Sequence, residues 1–189
     1  MELLIIVGLI VAGYFLGSFL PAEWLVRWKT GFGLFERGEN PGTAAALLRG
    51  GSVIGILTLA LDCLKAALPV GLSARLSVHP DWIPAIAMAP VVGACWPLGR
   101  FARGGRGFAA AAGALMPLAF WQTVCGMIIS LLPVPFLRKR HGLVMVLVGF
   151  PVTLGLMVWS QAPAYAWWAL GGVLLVMTVR FFTGGYIHK

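Results

Sequence analysis

Apolar residues run along this chain in blocks of about one bilayer thickness, separated by short polar stretches. The clearest blocks cover residues 3–20, 52–72, 82–98, 143–159 and 164–179. Each comes close to the roughly 20 apolar residues that cross a membrane as a helix. Residues 107–137 are also apolar throughout, but too long for one span and too short for two full ones. Pro117 interrupts that block and Gly113 lies just before it. A short or re-entrant helix followed by a fuller one fits, because broken helices persist at membrane depth only when packed on protein or lining a cavity. The pattern predicts an all-α polytopic membrane bundle of seven transmembrane helices, with six as the alternative. The first block lacks a basic flank, and Glu23 follows it where a signal peptide would carry a small-residue cleavage site, so it reads as a retained helix.

The polar stretches carry charge unevenly. Arg27, Lys29, Arg37 and Arg49 follow the first block, Arg100, Arg103 and Arg106 the third, and Arg138, Lys139 and Arg140 the 107–137 region, while Lys189 ends the sequence. Arg75 is the only Lys or Arg between the second block and the third. Cytoplasmic loops collect Lys and Arg, which puts the N-terminus outside and the C-terminus in the cytoplasm. The alternation requires residues 107–137 to cross twice.

Composition agrees. Of 189 residues, 60% are hydrophobic and 11% charged, with a mean hydropathy of +0.92. A soluble domain is about half apolar and about a quarter charged, so a water-soluble fold is excluded. The net charge of +8 follows membrane topology and implies no nucleic-acid partner. Cys63, Cys95 and Cys125 are isolated within apolar stretches, without metal-site spacing, and read as small hydrophobes. No linker or internal repeat divides the chain, so residues 1–189 read as a single integral membrane domain.

Two polar stretches could hold an anion. Asn40-Pro41-Gly42 is a turn signal. Successive N–H groups in such a turn, opening into a helix, can cradle an anion, and Thr43 could add a hydroxyl. An ordinary loop entering a helix is the other reading. Gly104-Gly105-Arg106-Gly107 feeds the alanine-rich stretch 108–114. Its glycines allow close approach to the backbone, and its arginine can grip a phosphate with two hydrogen bonds. Arginines alone would merely anchor a cytoplasmic boundary; the glycines are what that role leaves unexplained. Asp62 and Lys65, three apart, share a helix face inside a span, where ionisable groups are costly and face a cavity or each other. Gly17-Ser18 reads as a helix-packing site. His79, His141 and His188 offer no obvious catalytic base.

Taken in order, these stretches resemble the membrane-embedded, acyl-phosphate-dependent glycerol-3-phosphate acyltransferases of bacteria. That family carries Gly-Ser near the end of helix one, a Ser-Gly-Asn-x-Gly-Ala-Thr-Asn loop ending in arginine, and Asp-x-x-Lys-Gly in helix two. A Gly-His-x-x-Pro stretch then leads into Lys-Gly-Gly-Lys-Gly-Val-Ala-Thr. The counterparts here are Gly17-Ser18, Asn40-Pro41-Gly42, Asp62-x-x-Lys65, and Gly93-x-x-x-Pro97 leading to Arg103-Gly104-Gly105-Arg106-Gly107. There are departures. The loop serine falls at Gly38, its threonine and second asparagine at Ala44 and Ala45, and its arginine at Leu48 with Arg49 one place late. The histidine becomes Ala94, the turn lysines Arg103 and Arg106, and the following threonine Ala110. The family's C-terminal His-Arg-x-Asn-Ile is missing, with Arg180-Phe181-Phe182-Thr183-Gly184 the nearest remnant.

The resemblance implies transfer of a fatty acyl group from acyl phosphate to glycerol 3-phosphate, giving lysophosphatidic acid, without a cofactor or metal. The two substrates and the lipid bilayer are then its partners, and the site faces the cytoplasm at the bacterial inner membrane. It implies Arg106, Lys65 and Asn40 as catalytic residues. Ser18, Asn40, Gly42, Thr43, Arg49, Arg103, Gly104, Gly105, Arg106 and Gly107 would bind phosphate, with Asp62 and Pro97 structural. Two other readings stay open: an impaired member of the family acting as a lipid- or partner-binding membrane protein, and a small transporter, which the lack of repeats disfavours.

Overall fold

The computed structural model describes residues 1–99, 104–131 and 141–183. Arg100, Arg103, the basic run 138–140, His188 and Lys189 lie outside the described residues. Every regular element among the described residues is helical: α1 (Glu2–Ser18), α2 (Pro21–Thr30), α3 (Thr43–Arg75), α4 (Ile83–Cys95), α5 (Phe108–Leu115), α6 (Phe120–Leu131), α7 (His141–Trp159) and α8 (Ala164–Thr183), with one 3-10 turn at Pro80–Trp82. Among the described residues, Glu2–Thr30, Thr43–Arg75 and Ala164–Thr183 are long and apolar enough to cross a bilayer, while Pro80–Cys95, Phe120–Ser130 and Leu147–Trp159 are shorter apolar helices. The chain is thus an all-α polytopic membrane bundle.

α1 shows how such helices are sorted. It is apolar all round, yet Ile6, Leu9, Gly13 and Gly17 are buried while Leu4, Val7, Val11 and Phe15 are exposed. Both sets follow helical spacing, so one stripe meets protein and the other meets lipid. α4 lies centrally, packed against α1, α3, α5 and α8, and α6 pairs with α7. Lipid removes the hydrophobic drive for helices to associate, so small residues that let backbones approach must supply it. A Cβ on Gly17 would collide with the Pro90 backbone, and one on Gly93 would lie 2.9 Å from the Ser18 nitrogen and overlap the Tyr14 carbonyl.

Three elements depart from the expected blocks. The polar stretch after α1 holds a helix, α2, because Pro21 sits at its first turn and Gly31, at φ 78°, closes its end. Glu23 is buried against the loop that follows: its carboxylate accepts from Arg27 (3.2 Å) and from the Phe35 backbone N–H (3.0 Å). Leu34 fills a small core with Ala22, Val26, Ala46 and Ile54. α3 begins at Thr43, before the expected 52, and breaks at Gly51 (φ 82°, ψ 178°). There Lys29 donates to the Gly50 carbonyl at 2.8 Å, occupying an acceptor beside the break. α4 stops at Cys95, short of 98, because Pro97 disfavours helical geometry in the residue before it. In the ambiguous 107–137 region, α5 is short and buried from Ala109 to Leu115, and α6 follows.

Asp62 and Lys65 form an ion pair at 2.7 Å with both side chains nearly buried. The Lys65 ammonium also donates to the carbonyls of Gly17, at 3.1 Å, and Phe19. Its three N–H donors are thereby engaged, and they tie the end of α1 to α3.

Two outcomes follow for thermal unfolding in detergent, read by a maleimide fluorophore on buried Cys63 and Cys95 in a Cys125→Ser background, since Cys125 is exposed. Gly17→Val overpacks the α1–α4 contact and lowers stability by roughly 1–3 kcal/mol or more. Gly8→Val, with nothing within 4 Å, stays within about 0.5 kcal/mol of the parent; equal losses at both sites would refute the close-contact argument. Asp62→Asn leaves the buried ammonium without its counter-charge and costs about 3–5 kcal/mol. An unchanged midpoint would show that the two carbonyls suffice for Lys65.

Candidate active site

The site is built where the chain leaves α4 and returns to it. Tyr14 OH donates to the Trp96 carbonyl at 3.0 Å, and the Leu98 N–H donates to Ser18 Oγ at 3.3 Å. Ser18 in turn donates to the Tyr14 carbonyl, at 2.9 Å. α1 therefore holds the Trp96–Leu98 segment at two points, and Lys65 grips the carbonyls on either side of Ser18.

The glycine-rich turn closes over the end of α4. The Gly105 N–H donates to the Ala94 carbonyl at 2.9 Å. A Cβ on Gly104 would overlap the Cys95 carbonyl, and one on Gly107 would lie 2.8 Å from Cys95 Sγ. Gly107 also adopts φ 75°, which L side chains rarely reach, and its carbonyl accepts from Ala111 N–H at 2.7 Å as α5 begins. From α8, Arg180 donates to the Gly104 carbonyl at 2.8 Å through Nη2 and to the Gly105 carbonyl at 3.2 Å through Nε. Its guanidinium carbon stands 5.8 Å from the Trp96 ring centroid.

The second turn meets the first. A Cβ on Gly105 would lie only 2.7 Å from the Pro41 carbonyl oxygen, so Asn40-Pro41-Gly42 and Gly104–Gly107 abut. Gly42 caps α3, accepting from Ala46 N–H at 2.9 Å. Thr43 Oγ1 is buried with no hydrogen-bond partner among the described residues. Asn40 and Arg106 are exposed, and the Arg106 side chain makes no hydrogen bond or ion pair among the described residues. The start of α3 therefore stands beside the turn that opens α5, with Thr43 and Arg106 adjoining that contact in the chain, and helix N-termini suit an anion.

Other expected site residues lie differently. Lys65 faces the Gly17 and Phe19 carbonyls with its donors engaged. Arg49 pairs with Glu39, its Nε at 2.8 Å from Oε1. Arg103 lies outside the described residues. Pro97 and Ser18 line a cleft of about 580 Å³ that also takes in Phe19, Trp24, Trp28 and Leu98. Ala94 and Ala110, where the family motif has His and Thr, are buried, and the Ala94 backbone carbonyl holds the turn.

Sequence reasoning missed two contributors. Arg180 stood only as a remnant of a lost motif, although a cation ending an apolar span is itself a signal. Tyr14 gave none, since one tyrosine in an apolar helix is unremarkable.

A family model described as glycerol-3-phosphate acyltransferase matches residues 7–186. The chain is 33% identical over 163 residues to the glycerol-3-phosphate acyltransferase of Cronobacter sakazakii, covering 85% of this chain and 74% of that one. It is 39% identical over 116 residues to that of Legionella pneumophila (strain Corby), covering 59% and 41%, and over 112 residues to that of Rubrobacter xylanophilus, covering 59% and 56%. The chain thus spans about half the length of those last two relatives. Its fold matches crystal structures of PlsY, an integral membrane glycerol 3-phosphate acyltransferase, at TM-score 0.77. The lysophosphatidic acid form is 20% identical, covering 93% of this chain and 87% of that one, and the glycerol 3-phosphate form 21%, covering 94% and 88%. With the family pattern running from residue 7 to residue 186, through both abutting turns and on into α8, the chain belongs to the glycerol-3-phosphate acyltransferase family.

Proposed function

We propose that this protein transfers a fatty acyl group from acyl phosphate to the 1-hydroxyl of glycerol 3-phosphate, giving lysophosphatidic acid and inorganic phosphate. The observation that carries the reading is the abutment of Pro41 on Gly105, which sets side by side the two turns whose sequences suit an anion. The names of the relatives and the lysophosphatidic acid and glycerol 3-phosphate forms of PlsY support it.

An acyl phosphate is a mixed anhydride and already activated. The acceptor hydroxyl bonds to the acyl carbon, the carbon–oxygen bond to phosphate breaks, and the departing phosphate takes the hydroxyl proton. No protein base is needed for that balance. The protein's work is to hold two phosphates in reach of each other and to stabilise charge as it shifts. Arg106, Thr43, Asn40 and the N–H groups of both turns suit that work. The cleft beside Ser18, walled by Phe19, Trp24 and Trp28, falls within the roughly 300–1,000 Å³ usual for ligand sites and suits a lipid-tailed donor. Lys65, with its donors engaged, acts by fixing Ser18.

The reading includes a single domain over residues 1–189, seven passes with the N-terminus outside, and a site facing the cytoplasm at the bacterial inner membrane. A second reading, a lipid-binding protein that has lost catalysis, draws on buried Ala94 and Ala110 and on Arg49 being paired with Glu39.

The test is transfer by purified protein from palmitoyl phosphate to radiolabelled glycerol 3-phosphate. The parent forms lysophosphatidic acid, and Arg106→Ala loses on the order of a hundredfold or more in rate while keeping the parent's unfolding midpoint. A folded parent that forms no product would favour the second reading, and full activity in Arg106→Ala would remove that side chain from the site.

A further inference from the structure

Arg180 is 3% exposed near the end of an apolar helix, and the chemistry proposed above does not use it. Ionisable side chains in a span are costly and persist where they do something. This one reaches across the bundle to consecutive backbone carbonyls of the glycine-rich turn, Gly104 and Gly105, under the face of Trp96. Trp96 is itself held through its carbonyl by Tyr14.

From this arrangement we infer that Arg180 is the positioning residue that makes the turn an anion receptor. A trans peptide points its C=O and N–H in opposite directions. With the Gly105 carbonyl turned onto Arg180, the N–H of Arg106 in the same peptide unit faces away from α8. Among the described residues neither that N–H nor the Gly107 N–H donates to a backbone carbonyl outside regular helix hydrogen bonding, whereas the Gly105 N–H is committed to Ala94. A buried cation on the carbonyl side also polarises the peptide and strengthens the N–H as a donor. The guanidinium suits the task because its planar fork reaches two carbonyls at once, which an ammonium does at the expense of fixed geometry. Arg180 thus acts through the backbone, and Arg106 meets the ligand directly. The ligand class is a phosphate monoester or inorganic phosphate.

This inference rests on the acyl-transfer reading for its substrate, so the experiment carries a readout independent of turnover. Parent, Arg180→Lys and Arg180→Gln are purified in detergent. Binding of glycerol 3-phosphate and of inorganic phosphate is measured by calorimetry, beside KM for each substrate, kcat and the unfolding midpoint. In Arg180→Lys the expected result is binding weakened by about tenfold, the size of one lost charge-assisted hydrogen bond. The KM of the substrate seated on the turn rises to match, with a smaller change in kcat. Arg180→Gln loses more, and Arg180→Lys carries the test if Gln does not fold. The two ligands distinguish a site for the glycerol ester from one for phosphate alone. A parent that binds but transfers no acyl group would sink the acyl-transfer reading and leave the Arg180 comparison intact. Variants that bind as tightly as the parent, or lose only thermal stability, would overturn the inference, as would a parent that binds neither ligand.

Discussion

Gly104 lies so close over the Cys95 carbonyl that no side chain fits between them, and the arrangement of the site depends on that approach. Because the chain can fold back onto the end of α4, the Gly105 N–H reaches Ala94 and α5 starts just after Gly107. α5 is then short enough to stay inside the bundle, where packing against protein protects it. The returning turn also meets Pro41, which brings the start of α3 beside the start of α5. A methyl group at Gly104 would therefore disturb two helix N-termini and not only one turn.

Buried charge in this bundle is handled in two ways. Lys65 is neutralised by Asp62 and shares its remaining donors between two carbonyls at the end of α1. Arg180 is held by carbonyl dipoles and an aromatic face. Both act on backbone that carries the site, Ser18 in one case and the glycine turn in the other. Arg106, by contrast, is exposed and its side chain makes no hydrogen bond or ion pair among the described residues. A cation whose donors are all engaged has none left for a ligand, and a cation buried in the bundle without partners would be costly.

Much of this was legible in the residues. The apolar blocks and Pro117 gave the helical bundle and the broken 107–137 region, and the (i, i+3) spacing gave the Asp62–Lys65 pair. The meeting of the two turns was not legible, because Pro41 and Gly105 are far apart in sequence and no pattern in either names the other. α2 was hidden for a different reason. Its Trp24 and Trp28 are exposed and its Glu23 buried, so its inward face carries a charge satisfied only once the loop to Phe35 has folded over it. For Lys65 the spacing gave Asp62 but not the Gly17 and Phe19 carbonyls. A lysine near a predicted site reads as a ligand until its acceptors are known.

The buried alanines gain meaning from the same geometry. At Ala94 the backbone carbonyl holds the glycine turn, and a side chain there is packed among apolar neighbours in the main core. At Ala110 the side chain lies within α5, whose start is fixed by Gly107. The turn is thus shaped by main-chain bonds and by Arg180, none of which depends on a polar side chain at either alanine. With alanine at these two buried positions, where the family motif has His and Thr, the backbone of the turn stays in place. Under the proposed reaction, whose donor is already activated, what remains is backbone N–H groups and the exposed Arg106 guanidinium, the kind of group through which electrostatic stabilisation acts.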